Sequence, residues 1–240
     1  MMGVLGFCLA VAGHAAESFK DCLQFFANGR PPLVTMQATS RALCYDAFAV
    51  LHSGESKTPV YVAERLNRQA LAQPHEKRGN SFFSDARLRA AERASLQDYA
   101  GSGYDRGHMA PAGDMTTAPS MAQSFSLANM VPQAPAHNRG VWARTVEKAT
   151  RNYVERAEGD VYVITGPVYL PDIASSPSIG PGRVYVPSVL FKLVYDPSAN
   201  RAWAYWHLND DATQGSKPIS YAELVQRTGI EFLPGLKPQF

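Results

Sequence analysis

The chain lacks a dominant charge, a membrane-length apolar run, a cysteine motif and any internal repeat. Its 23 Lys and Arg stand against 21 Asp and Glu, a formal net charge of +2 over 240 residues. Bulk charge of that size excludes a protein that coats nucleic acid, and confines any grip on phosphates to a local basic patch. The apolar run Gly3 to Ala12 is about ten residues long, half of the ~20 that a spanning helix needs, so no membrane partner is expected. Three cysteines occur, and none forms a C-x-x-C pair. That removes the usual zinc and dithiol signatures.

What is present reads as ordinary globular protein, with 45% hydrophobic and 18% charged residues. The length suits one sizeable core, and residues 17–240 are expected to form a single domain. Gly3 to Ala12 is followed by Gly13-His14-Ala15-Ala16, which predicts a signal peptide over 1–16, without the usual positive n-region, and export to a periplasm or the exterior. Cleavage would remove Cys8 and leave Cys22 and Cys44, an even pair that reads as a disulfide in an exported protein. Closing that loop of about twenty residues would add roughly 3 kcal/mol. The alternative is two reduced, separately buried thiols.

The chemistry concentrates in Ser102-Gly103-Tyr104-Asp105-Arg106-Gly107-His108-Met109-Ala110-Pro111. Tyr104 to His108 reads as a short strand ending in a punctuated loop. Alternate side chains share a strand face, so Arg106 and His108 point one way and Asp105 the other. A guanidinium beside an imidazole suits a phosphodiester: arginine grips the phosphate and a neutral histidine takes a proton from water. Asp105, on the opposite face, reads as structural.

Ser126 to Gln133 reads as a second strand. Asn138 is a candidate N-cap for a helix running to about Ala157. Within that helix Trp142, Val146, Ala149 and Tyr153 form the expected core stripe, with Arg144, Glu147, Lys148, Arg151 and Glu155 on the polar side. Elsewhere strands are expected over Leu43 to Leu51, Pro59 to Ala63 and Val161 to Pro167, with a hairpin of Val184 to Tyr195 and Ala202 to Leu208. A last helix is expected over Ser220 to Thr228. His52 reads as a turn residue, His207 as structural, and His75 receives no role. The sum is an α+β domain with a mixed or antiparallel sheet core and an embedded strand–strand–helix unit.

Asp105-Arg106-Gly107-His108, Asn129-Met130-Val131-Pro132-Gln133 and Asn138-Arg139-Gly140 with Trp142, in this order and spacing, resemble the DNA/RNA non-specific endonucleases. These are the ββα-metal or His-Me finger nucleases of the endonuclease G type. The resemblance extends from about Cys22 to the C-terminus, with its specific motifs within about 78–151. It implies a metal-dependent, sequence-non-specific endonuclease acting on DNA and RNA. In that reading His108 is the general base, Asn138 binds one Mg²⁺ (or Mn²⁺ or another divalent cation), and Asn129 supports the site. Arg106 and Arg78 neutralise phosphate oxygens, Arg78 being placed by its spacing from Phe82 to Leu88. A helix glutamate would hold the metal's waters. In the family pattern it falls where this chain has Val146; Glu147 lies one residue further, and one residue turns a regular helix by about 100°. Either the helix bulges or starts late, or Glu147 is only a salt-bridge partner of Arg144 and Arg151 on the wet face. The expected partners are DNA and RNA substrates; the sequence names no inhibitor and no oligomeric state. Two rivals stand: a catalytically silent nucleic-acid-binding domain on the same scaffold, and a transition-metal phosphoesterase using His108 and His137.

Overall fold

The computed structural model describes residues 18–73 and 77–240. The expected signal peptide and His75 lie outside them. The strands, in chain order, are β1 (Ser40–Cys44), β2 (Phe48–Ser53), β3 (Thr58–Leu66), β4 (Asp105–His108), β5 (Met130–Gln133), β6 (Val161–Val168), β7 (Ser178–Ile179), β8 (Val184–Tyr185), β9 (Val189–Asp196), β10 (Arg201–Leu208) and β11 (Ile219–Ser220). Seven of them form one antiparallel sheet in the order β1-β2-β3-β6-β9-β10-β11. The expected α+β class with an antiparallel sheet core is borne out.

Both faces of this sheet are covered, which is why β9 is buried at every position and reads as a continuous apolar run rather than an alternating one. One face packs Ala49, Leu51, Tyr61, Ala63, Phe191 and Leu193 against Phe19, Phe26, Leu224 and Phe232. Phe19 meets Phe26 at 5.0 Å between ring centroids, and Phe26 meets Tyr61 edge-on at 6.3 Å, contacts of about 1 kcal/mol each beyond area burial. The Cys22–Cys44 disulfide ties this N-terminal segment to β1. The opposite face carries Phe48, Val50, Val62 and Leu190, packed under Met109, Met115, Phe125, Val131, Trp142 and Val146. The β4–β5–helix unit is therefore mounted on this second face.

Three helices matter for position: α1 (Ala118–Ser124), α2 (Pro135–His137, Asn138–Glu147 and Lys148–Val154 in succession) and α3 (Tyr221–Thr228). Thr117 caps α1 by accepting from Ser120 N. Ser220 caps α3, and Gly229 ends it in the left-handed region at φ 69°, where a glycine carries no Cβ penalty.

Several sequence expectations are corrected. Leu43 to Leu51 is a hairpin rather than one strand, because Tyr45 N bonds Phe48 O and turns the chain. His52 is not a turn residue: it sits fully buried in β2, its Nε2 within 2.8 Å of the Glu92 carbonyl. Ser126 to Gln133 begins with a 3-10 turn, Leu127–Asn129, before the strand. Asn138 is not an N-cap, since α2 starts at Pro135 and Asn138 already has helical angles (φ −56°, ψ −55°). The buried stripe of α2 is Trp142, Val146, Thr150 and Val154, one step out of phase with the expected one at its C-terminal end.

Candidate active site

β4 and β5 pair antiparallel with Arg106 opposite Pro132 and His108 opposite Met130. Gly107 lies between them, where a Cβ would fall 2.1 Å from Gln133 Oε1; only glycine lets β4 close on β5. Arg106, His108, Arg78, Asn138 and Glu147 all line one cavity of about 340 Å³, together with Arg139, Ala143 and Arg151. Five of the six expected site residues thus meet in one place.

The sixth, Asn129, does not line it. It is fully buried; Oδ1 accepts from Ala110 N at 2.8 Å and Nδ2 donates to the carbonyls of Ala110 and Ser124, both at 2.9 Å. It clamps the chain just after His108, supporting the site from behind.

His108 is buried among aromatic rings, with Phe125 edge-on at 5.1 Å and Phe82 at 5.8 Å. Burial, followed by the positive charges of Arg78 and Arg106, lowers its pKa to about 3. The imidazole is therefore neutral across the physiological range, as a proton acceptor must be. Its Nε2 is buried with no hydrogen-bond partner among the described residues. Arg106 lies with its guanidinium 4.2 Å from the Phe82 centroid, and Arg78 lies 5.7 Å from that of Phe125. Arg106 Nε is also buried and unpartnered.

Asn138 is oriented by Asp105. Asp105 Oδ2 accepts from Asn138 Nδ2 at 2.9 Å and from Arg139 Nε at 2.7 Å. A carboxylate only accepts, so the amide must turn its NH₂ to Asp105, leaving Oδ1 without a claim from that side. Burial works to raise the Asp105 pKa, but the hydrogen bonds from Arg139 and Asn138 outweigh it and hold the carboxyl below its usual range.

The shifted glutamate has a structural cause. Between Asn138 and Glu147 two helical segments meet at a kink, and the second is widened at its end, where Lys148 N–H bonds Ala143 O, five residues back. Gly140 departs from helical angles (φ −99°, ψ −107°). A wider turn absorbs one extra residue, so Asn138, Ala143, Glu147 and Arg151 line the cavity at successive spacings of five, four and four. Val146, on the neighbouring row, is fully buried in the core. Glu147 forms no ion pair with Arg144 or Arg151 among the described residues. Burial raises its carboxyl pKa, with Lys192 opposing and Asp114 adding to the rise.

Below the cavity Arg151 pairs with Asp114 at 2.8 Å. Lys192, buried in β9, donates to Thr165 Oγ1 at 2.7 Å. Glu64 in β3 is also fully buried, and burial and then the Asp114 charge raise its pKa well above the carboxylate range, against the pull of Lys192.

His137 does not reach the cavity. Its ring lies in the core 5.5 Å from Trp142 and from His207. Its Nδ1 is 3.1 Å from Gln133 Nε2 and its Nε2 is 3.4 Å from His207 Nδ1. The amide donates, so Nδ1 accepts and the proton sits on Nε2. That disposes of a His108–His137 metal pair. Among the described residues no group of three or more His, Cys, Asp or Glu is placed to hold a metal.

The profile of a family described as DNA/RNA non-specific endonuclease matches residues 32–239. The chain belongs to the DNA/RNA non-specific endonuclease family. Nuclease C1 of Cunninghamella echinulata var. echinulata is 32% identical over 203 residues, 80% of this chain and 79% of that protein. The human mitochondrial nuclease EXOG is 35% identical over 163 residues, 65% of this chain and 44% of that one. Human mitochondrial endonuclease G is 33% identical over 175 residues, 69% of this chain and 56% of its own length. The chain thus spans about half the length of these two human relatives. In the crystal structure of the EndoG/EndoGI complex, which concerns EndoG inhibition, a chain superposes with a TM-score of 0.71 at 26% identity, covering 82% of this chain and 86% of that one.

The resemblance carried by the Asp105–His108 and Asn129–Gln133 motifs is therefore borne out. The names of the two human relatives place them in mitochondria and lend no support to the expected export. No helix among the described residues is long and apolar enough to cross a membrane. Two cavity residues of this endonuclease-family chain escaped the sequence reading. The sequence gives Arg139 a place in the motif but no role, and its apolar spacing puts Arg151 on the wet face. One inserted residue between Asn138 and Ala143 would have put Arg151 on the Asn138 face.

Proposed function

We propose that this protein is a metal-dependent, sequence-non-specific endonuclease that hydrolyses phosphodiester bonds of DNA and RNA. The observation that carries the reading is the meeting of a neutral His108, four arginines, Asn138 and Glu147 in one cavity. The donor set fits a hard divalent cation. One amide oxygen and one carboxylate, without an imidazole or thiolate cluster, suit a metal that keeps most of its waters, Mg²⁺ before Mn²⁺. Asn138 Oδ1 would hold it directly and Glu147 through water. When bound it would polarise the phosphate and stabilise the leaving oxygen.

The chain's own groups do the rest. His108 takes a proton from a water whose oxygen attacks phosphorus; one P–O ester bond breaks and the departing oxygen takes a proton from solvent. Arg106 and Arg78 face the phosphate and offset the charge that builds on its oxygens, while Arg139 and Arg151, also on the cavity, are paired with Asp105 and Asp114. An anion between Arg78 and Arg106 would offset the two positive charges that, after burial, hold the His108 pKa down. Contacts to phosphate carry no base identity, so DNA and RNA are both cut with weak sequence preference. The Cys22–Cys44 bridge suits an oxidising compartment, which supports export as the cellular setting.

Supercoiled plasmid and total RNA, each with Mg²⁺ and with EDTA, test this against the silent-binder reading. Both substrates should be degraded only with metal, and His108→Ala should abolish degradation while nucleic acid still binds. Intact plasmid with every divalent metal would leave a binding domain.

A further inference from the structure

Beside the catalytic cavity lies a second one, of about 570 Å³, to which nothing above assigns a role. Phe82, Phe83, Phe125, Met121 and Ala122 form its walls, with Lys77 at its margin. It is mostly apolar, and its long wall comes from α1, held in place by the Thr117 cap.

Two rings separate it from the phosphate-facing cavity and belong functionally to both. Phe82 carries the Arg106 guanidinium, and Phe125 meets both His108 and Arg78. Arg78 lines the catalytic cavity while its chain neighbours Lys77 and Gly79 line the apolar one. A strand whose phosphate rests on Arg106 and Arg78 therefore has the apolar cavity one ring's width away, with a cation at its edge. Apolar surface within reach of a backbone-gripping arginine cluster fits the part of a nucleotide that is flat, apolar-faced and attached to that phosphate: the base.

Phe83 supplies the stacking surface. Phe83 is 40% exposed and lines the cavity, and its backbone is fixed on both sides. Phe83 N donates to Phe125 O at 3.3 Å, and Phe83 O accepts from Leu127 N at 2.8 Å. A half-exposed phenyl on an anchored backbone, lining a cavity, is the kind of surface on which proteins stack unpaired bases.

We propose that this second cavity is a nucleobase subsite: a base flanking the scissile phosphate leaves its stack and lies against Phe83 between Phe82 and Met121. The inference rests on the nuclease reading and extends it. In a duplex the base must first be unpaired and unstacked, which costs a few kcal/mol, so single strands, loops and ends are held more tightly than intact duplex. The preference concerns strandedness and not sequence, because every base presents a flat face.

The test compares two single-stranded oligonucleotides of equal length and charge, one of thymidine units and one of abasic tetrahydrofuran units. Binding is measured by fluorescence anisotropy in EDTA, and cleavage with Mg²⁺ gives KM and kcat. The full chain should bind the base-bearing strand roughly five- to a hundredfold more tightly, the range that one base–aromatic stack supplies. The same ratio should appear in KM. Phe83→Leu, which keeps apolar bulk without a ring, should lose most of that ratio, and Phe83→Tyr should retain it. The exposed ring and backbone anchoring keep both variants folded, which equal Tm values verify. Equal affinity of the wild-type protein for the two strands, or an undiminished ratio in Phe83→Leu, overturns the subsite and leaves the cavity to some other apolar occupant. Because anisotropy needs no turnover, an inactive but base-preferring protein would sink the nuclease reading while sustaining the subsite.

Discussion

Asp105 Oδ2 and Asn138 Nδ2 lie 2.9 Å apart, and this contact decides which end of an amide faces the cavity. The sequence reads Asp105 as structural, and Asp105 does not itself line the cavity; its carboxylate acts on it through Asn138 and Arg139. Asp105→Ala should free the Asn138 amide to rotate and raise the half-saturating Mg²⁺ concentration for plasmid cleavage by ~10–100-fold, the usual effect of losing an outer-shell partner. Asp105→Asn, with an oxygen still able to accept, should lose less. An unchanged Mg²⁺ dependence in Asp105→Ala would remove Asp105 from this role.

Gly107 is the tightest point of the β4–β5 pair. An alanine Cβ there would lie 2.1 Å from Gln133 Oε1 and 2.6 Å from Gln133 Cβ. Gln133 is fully buried and carries the bond to His137, so it has no room to retreat. Overpacking of this kind costs ~2–3 kcal/mol, and Gly107→Ala should lower Tm by about 5–10 °C and displace His108 with it. Thermal melts and plasmid cleavage of the one variant read both effects.

The two strands of the motif were legible because alternation and punctuation are local signals, and the His108–Arg106 shared face follows from them alone. The phase of α2 was not legible. Gly140, which leaves helical angles, is the one local mark in Asn138 to Glu147; propensity and apolar spacing otherwise register a regular helix, and neither reports a hydrogen bond reaching five residues back. The doubt over Glu147 was therefore the correct symptom with its cause hidden. His137 misled for a related reason: adjacency to Asn138 in sequence says nothing of direction once the helix begins at Pro135, and the ring turns into the core towards His207. His52 failed similarly, since a polar residue before Ser-Gly reads as a turn until Glu92, 40 residues away, supplies its partner.

His108 makes stability depend on acid. Its folded pKa of about 3 lies below the unfolded value of 6.5. Between these limits the unfolded chain binds a proton that the folded chain refuses, so stability rises with pH and is lost as pH falls from 6.5. His137, lowered to about 4 mainly by burial, acts in the same sense. Wild-type Tm should drop between pH 7.5 and 4.5, and His108→Asn should flatten part of that drop. Glu64 and Glu147, whose pKa values are raised, pull the other way and do so equally in both proteins. Parallel Tm–pH curves for wild type and variant would contradict the depressed imidazole.

The widened stretch makes a prediction about position as well as identity. If the wider turn is what brings a carboxylate to Asn138, then residue 147 and not 146 must carry it. Glu147→Gln keeps the shape, removes the charge and should reduce cleavage by ~10–100-fold with little change in Tm. The double change Val146→Glu with Glu147→Val restores the expected family spacing on paper. In the fold it drives a carboxylate into the core beside Trp142, where Val146 is fully buried. An unpaired buried carboxylate costs several kcal/mol, so the double variant should melt far lower than Glu147→Gln and recover no activity. Recovery of cleavage in the double variant would mean that α2 can revert to regular helix, and that the extra residue is not held by the core.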